Sequence, residues 1–133
     1  MPRRQFDLPS FDVAHLETTG LEWETVVEGE ARWLLLHDRP VAQGYNVAKA
    51  LTAIRIAPSY PEAQIDMVYF HPPLVRSDGR TLSAVSEPTI DGKLFQQWSR
   101  HRTNENPWRP GEDDISSHLA LVDGWLEKEL RRA

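Results

Sequence analysis

Between Leu21 and Phe70 the apolar residues recur at every second position in four successive runs, and short turn-like breaks separate the runs. Leu21, Trp23, Thr25 and Val27 alternate with Glu22, Glu24, Val26 and Glu28. That pattern reads as a half-buried strand with an acidic, solvated outer face. Glu28-Gly29-Glu30 is a hairpin turn, and Ala31 to His37 is the partner strand. Trp33 and Leu35 lie on one of its faces, Leu34 and Leu36 on the other, and Asp38-Arg39-Pro40 ends it. Val47 to Ile56 begins with good helix formers, but Thr52, Ile54 and Ile56 alternate with Lys49, Ala53 and Arg55, which favours a strand. Gln64 to Phe70 is the fourth run, closed by Pro72-Pro73 because proline cannot donate to a ladder. Sequential strands joined this way predict a four-stranded antiparallel meander covered by helices, an α+β fold.

Two helices frame the meander. Ser10 to Thr19 reads as a short one, with Phe11, Ala14 and Leu16 inward and Gly20 as its stop. At the other end, Ile115, Leu119, Val122, Leu126 and Leu130 form one apolar stripe behind Gly111-Glu112-Asp113-Asp114, which supply an N-cap and first-turn acids. Residues 1–9 read as an extended arm, and Leu74 to Pro88 as a long loop with a turn at Asp78-Gly79. The 133 residues make one domain.

The totals exclude several classes. A net charge of -5 argues against general nucleic-acid binding. No apolar run is long enough to span a bilayer, and the first residues, Met1-Pro2-Arg3-Arg4-Gln5-Phe6, lack the apolar core of a signal peptide. A cytoplasmic protein is the expectation. There is no cysteine, so disulfides, thiolate metal sites and a thiol nucleophile are all excluded. His37, Asp38, His71, His101 and His118 show no ligand spacing, so no metal and no cofactor are expected.

Chemistry concentrates in Gln97-Trp98-Ser99-Arg100-His101-Arg102, which follows the Asp91-Gly92 turn and precedes Trp108-Arg109-Pro110. Ser99 is a candidate nucleophile, His101 its candidate base, and Arg100 or Arg102 a holder of an incoming carboxylate. The plainer reading has Ser99 capping a turn, Arg100 paired with Asp113 or Asp114, and His101 filling a polar corner. Trp98 is the tryptophan expected to line a groove; the others, Trp108 among them, are core by default.

Several short pieces, in order, resemble prokaryotic E2 family E, the bacterial branch of the ubiquitin-conjugating enzyme superfamily. They are Gly44-Tyr45-Asn46, Ser59-Tyr60-Pro61, Ile65 to Phe70, His71-Pro72-Pro73, Gln97 to His101, and Trp108-Arg109-Pro110-Gly111. The resemblance covers about Leu8 to Leu130 and implies the compact α+β fold of that superfamily. It implies a ubiquitin-like protein and its activating enzyme as partners, in a bacterial pathway that looks like an antiviral defence module. It also marks His71 as a loop-shaping histidine and gives Trp98, Arg102, Trp108 and His71 as the modifier- or partner-binding set.

Two departures matter. Pro73 stands where the superfamily keeps an oxyanion-stabilising asparagine, and proline has neither a side-chain amide nor an N–H. The catalytic cysteine is missing. Counting by the family spacing from His71 lands near Thr81 and Ser83, whereas counting back from Trp108 lands at Trp98 to Arg100, with Ser99 the nearest hydroxyl. The resemblance therefore implies a conjugating-enzyme-like subunit that carries its modifier, if at all, as an oxyester. Its alternative is a non-catalytic adaptor of the same fold. A small hydrolase built on Ser99 and His101 is less favoured, because no third triad member is evident.

Overall fold

The computed structural model describes residues 2–132; Met1 of the expected arm and Ala133 lie outside the described residues. The elements are α1 (Ser10–Thr18), β1 (Trp23–Glu28), β2 (Ala31–Pro40), β3 (Lys49–Arg55), β4 (Val68–His71), β5 (Val85–Ser86), β6 (Thr89–Ile90), β7 (Lys93–Leu94), β8 (Gln96–Trp98) and α2 (Ile115–Leu130). One antiparallel sheet runs β1-β2-β3-β4-β8-β5, and β6-β7 form a separate hairpin.

The architecture is α+β, but the sheet has six strands rather than the expected four. The polar stretch that begins at Gln97 starts inside β8, Gln96–Trp98, an interior strand between β4 and β5. Strands of two and three residues are too short to display an alternation, so the period-2 signal misses them. The fourth run also shrinks, to Val68–His71, because Met67 takes a left-handed φ of 62° that breaks the extended backbone before it. β2 does not end at His37. It runs to Pro40 through an irregularity between Leu36 and Arg39, where Asp38 is left-handed.

The faces are more covered than alternation predicts. The inner face of the sheet packs Trp23, Leu34, Leu36 and Ile54 against Leu16, Ile115 and Leu119, and Val68, Phe70 and Trp98 against Val122 and Leu126. The outer face is also buried. Trp33, Leu35, Ala53 and Tyr69 lie under Ile90 and Phe95, carried by and next to the β6-β7 hairpin. The expected solvated acidic face of β1 holds only in part: Glu22 and Glu28 are exposed. Glu24 is buried and paired with Arg3, whereas Val27, expected inside, is exposed. The arm supplies this cover: Arg3 and Gln5 bond the Thr25 backbone and occupy the β1 edge. In α1 the inward residues are Asp12, Val13 and Leu16; Phe11 and Ala14 face out.

α2 begins at Asp114, whose carboxylate accepts from the Ser117 N–H while the Ser117 hydroxyl accepts from the Asp114 N–H. Its stripe is buried as read from Ile115 to Leu126, and His118 and Glu129 are buried with it. Among the described residues, no helix is long and apolar enough to cross a membrane.

Candidate functional site

The stretch 97–102 leaves β8 with alternate side chains going opposite ways, and this separates the candidates. Trp98 is fully buried, edge-on to Tyr45 and Phe70, with its Nε1–H donating to Gln96 Oε1 at 2.8 Å. It is core and lines no groove. The Ser99 N–H donates to Ala84 O at 3.0 Å, and its Oγ accepts from Gln97 Nε2 at 3.4 Å. His101 is exposed and pairs with Asp66, Nδ1 to Oδ2, at 3.0 Å. Ser99 and His101 lie on the same side of the chain, yet each has its own partner and they do not bond each other.

Arg100 turns the other way, into the body of the protein. Its guanidinium lies 4.9 Å from the Trp98 ring centre. It donates to Ser83 O at 3.1 Å, to Glu129 Oε2 at 3.3 Å and weakly to Ser83 Oγ at 3.5 Å. Glu129, on the last turn of α2, is 5% exposed and also takes the Ser83 N–H at 3.0 Å and the Ser83 Oγ–H at 3.1 Å. Arg132 donates to its other oxygen at 3.2 Å. Burial pushes the Glu129 carboxyl up, but the bonds from Ser83 and Arg132 outweigh it and leave the group below the usual carboxylate range. A hydroxyl, a carboxylate and a guanidinium therefore meet where the loop before β5, the end of β8 and the end of α2 converge. Thr81, the other fallback hydroxyl, is exposed, and its carbonyl accepts from Arg132 at 3.1 Å.

The remaining candidates lie apart from this cluster. Arg102, rather than Arg100, faces Asp113, at 3.9 Å. Its side chain is 5% exposed and lies 5.1 Å from the Trp108 ring centre, and its Nε and Nη2 have no hydrogen-bond partner among the described residues. Trp108 donates to Pro61 O at 3.0 Å and packs on Tyr60, so it braces the Tyr60-Pro61 turn. His71 sits toward the opposite end of β4 from Ser99, since Val68 pairs with Trp98 and Phe70 with Gln96. It bonds Leu94 O through Nδ1 at 2.8 Å. A cavity of about 530 Å³ lined by Leu21, Arg39, Val41 and Asp123 includes none of these candidates.

Three contributors were not singled out from the sequence. Glu129 is one, although a carboxylate three residues after Leu126 on a buried stripe is a readable signal. Arg76, 3% exposed, donates to the carbonyls of Glu129 at 2.7 Å, Leu130 at 3.1 Å and Arg132 at 3.0 Å, and so ties the segment after β4 to the negative end of α2. The Asn46 amide spans the segment after His71-Pro72: its Nδ2 donates to Pro73 O at 3.3 Å and its Oδ1 accepts from Val75 N at 2.8 Å.

The comparisons with curated proteins and with solved structures find no significant match. The family model described as prokaryotic E2 family E matches residues 8–129, which is nearly the whole chain and includes β8, the Ser83–Glu129–Arg100 cluster and most of α2. The chain therefore belongs to prokaryotic E2 family E.

Proposed function

We propose that this chain is the conjugating-type subunit of a bacterial ubiquitin-like conjugation pathway, acting through a hydroxyl because it has no thiol. In this reading it binds the activating enzyme and the ubiquitin-like modifier and assists transfer of the modifier to a target. A cytoplasmic role in antiviral defence is part of the same reading. Trp108 and His71 contribute to the surfaces that hold the partners, and Arg102, its side chain 5% exposed, packs beside Trp108 to support it.

The observation that carries the reading is Ser83 Oγ, bonded to a buried carboxylate and within reach of Arg100. It ranks Ser83 ahead of Ser99, whose Oγ meets an amide and whose expected base is turned to Asp66. In the first step Ser83 Oγ attacks the carbonyl carbon of the activated modifier C-terminus. The new C–O bond forms as the bond to the leaving group breaks, and the hydroxyl proton passes to Glu129. Arg100 offsets the charge on the oxyanion. A target amine then attacks the oxyester carbonyl: a C–N bond forms as the C–O bond to Ser83 breaks, Glu129 returns its proton to Oγ, and the proton lost by the amine passes to Glu129.

The adaptor reading, in which the chain positions a modifier without carrying it, draws on two observations. Pro73 offers no amide to an oxyanion, and Glu129 is held anionic by several donors, which makes it a weak base. Intact-mass analysis separates the readings. The chain is mixed with its activating enzyme, the modifier and ATP. An adduct of modifier less water, cleaved by hydroxylamine, absent in Ser83→Ala and present in Ser99→Ala and Thr81→Ala, is the expected result. An adduct lost only in Ser99→Ala moves the role to Ser99, and a stable complex with no adduct supports the adaptor.

A further inference from the structure

We propose that Glu22, Glu24 and His37 form a site for a divalent cation of the zinc class. The β1-β2 register brings them together. Trp23 pairs with Leu36, and the His37 N–H bonds the Glu22 carbonyl, so His37 lies opposite Glu22. Glu22 and Glu24, two positions apart on an extended chain, share a side. His37 Nε2 is 2.7 Å from Glu24 Oε1 and 3.8 Å from Glu22 Oε2, and one ligand atom from each residue falls within 4.8 Å of the others. Imidazole nitrogen and carboxylate oxygen bind zinc at about 2.0–2.2 Å, which places neighbouring donors of a tetrahedron roughly 3.3 Å apart. The two distances to the imidazole bracket that separation.

The set has features beyond a group of surface acids. Its middle carboxylate is fixed: the Arg3 backbone N and Nε each hold Glu24 Oε2 at 2.9 Å, which leaves Oε1 turned to the imidazole. Arg3 Nη2 touches Oε1 at a longer 3.3 Å. A second group that orients a ligating carboxylate is what metal centres use to keep a ligand in place. The Glu24 side chain is 10% exposed, whereas the Glu22 side chain is 58% exposed and leaves an entry path. Three protein donors leave a fourth position open, on the side of a cavity of about 380 Å³ lined by Gly20, Leu21, Glu22, His37, Asp38 and Lys49. Arg3, paired with Glu24 and Asp91, Arg4, beside Trp23, and Lys49, in the cavity wall, are the cations near the set. A mixed imidazole and carboxylate donor set of this size suits zinc and its first-row neighbours rather than calcium, which takes six to eight oxygens.

The test uses the untagged full chain after chelator treatment, titrated with zinc chloride by calorimetry and counted by native mass. One zinc per chain with a micromolar dissociation constant is expected. His37→Ala and Glu22→Gln should each weaken binding by about tenfold or more, and His15→Ala and His101→Ala should leave it unchanged. Glu22 is exposed, so its variant tests the site even where His37→Ala disturbs the hairpin. No saturable 1:1 binding below millimolar zinc overturns the proposal. So does affinity that survives both His37→Ala and Glu22→Gln, or that is lost equally in His15→Ala.

Discussion

The His118 imidazole is fully buried on α2, with Nε2–H donating to Met67 O at 2.8 Å and Trp125 edge-on at 5.5 Å. Burial pushes its pKa down to about 4; Arg102 adds to the effect, and Asp66 and Asp113 oppose it. The unfolded chain protonates this group near its ordinary value of about 6.5, so it binds a proton there that the folded chain refuses. Stability from this residue is therefore complete above about 6.5 and is lost as the pH falls toward 4, by roughly 2–3 kcal/mol. His118→Gln keeps a donor for Met67 O and removes the titration. Melting temperatures from pH 7.5 to 4 should fall more steeply for the parent than for this variant; parallel curves would count against it. The same scale explains how far the candidate site was readable. The dense run Ser99-Arg100-His101 drew attention to a residue that belongs to the cluster, Arg100, and to two that have other partners. The partner of Arg100 is Glu129, 29 positions away, and no local spacing announces a contact that the fold makes. Glu22, Glu24 and His37 escaped for the same reason, since their juxtaposition needs the β1-β2 register.

Elements with a sustained period were legible. The Glu28-Gly29-Glu30 turn, the inner and outer faces of β2, the choice of strand for β3 and the stripe of α2 all follow from side-chain alternation or helical spacing. β5 and β8 were not, because they are held by their neighbours and not by a pattern of their own. The start of α2 shows the same division. Asp114 and Ser117 cap it locally, in sequence reach. Asp12 caps it from α1: Oδ1 accepts from the Ile115 N–H at 3.1 Å, and Oδ2 accepts from the Tyr60 hydroxyl at 2.6 Å. Asp12 is 1% exposed, and burial pushes its carboxyl up. Removing the local cap with Asp114→Ala should cost about 1 kcal/mol. Asp12→Ala leaves a buried amide and a part-buried hydroxyl without an acceptor, and should cost about 3 kcal/mol. Urea denaturation of the two variants decides this; an equal loss would mean that water replaces Asp12 at the helix start.

At the scale of the whole molecule, one sheet is buried on both faces by different means. Helices cover the inner face, and the β6-β7 hairpin folds back over the outer one. The hairpin turns on Asp91 and Gly92, both with positive φ, which suits the Asp-Gly pair of a tight two-residue turn. Its tip is tied to the rest of the fold by charge. Arg3 grips both Asp91 oxygens, at 3.0 and 2.7 Å, while holding Glu24, and the Asp91 N–H donates to Glu28 at 2.7 Å. The arm, β1, the first hairpin turn and the covering hairpin are thus joined through one guanidinium and its neighbours. Apolar packing of Ile90 and Phe95 seats the hairpin, and the charge pair sets how easily its tip lifts. Asp91→Asn preserves the left-handed turn, which asparagine tolerates, and removes the charge. Opening of the hairpin should then be easier by roughly 1.4 kcal/mol, about tenfold in amide exchange, at the Phe95 N–H that bonds Pro88 O. Exchange at Leu34 and Ile54, paired between β2 and β3, should stay at the parent rate. A uniform acceleration across both groups would show that Asp91 acts on global stability, and unchanged exchange at Phe95 would show that apolar packing alone holds the hairpin down.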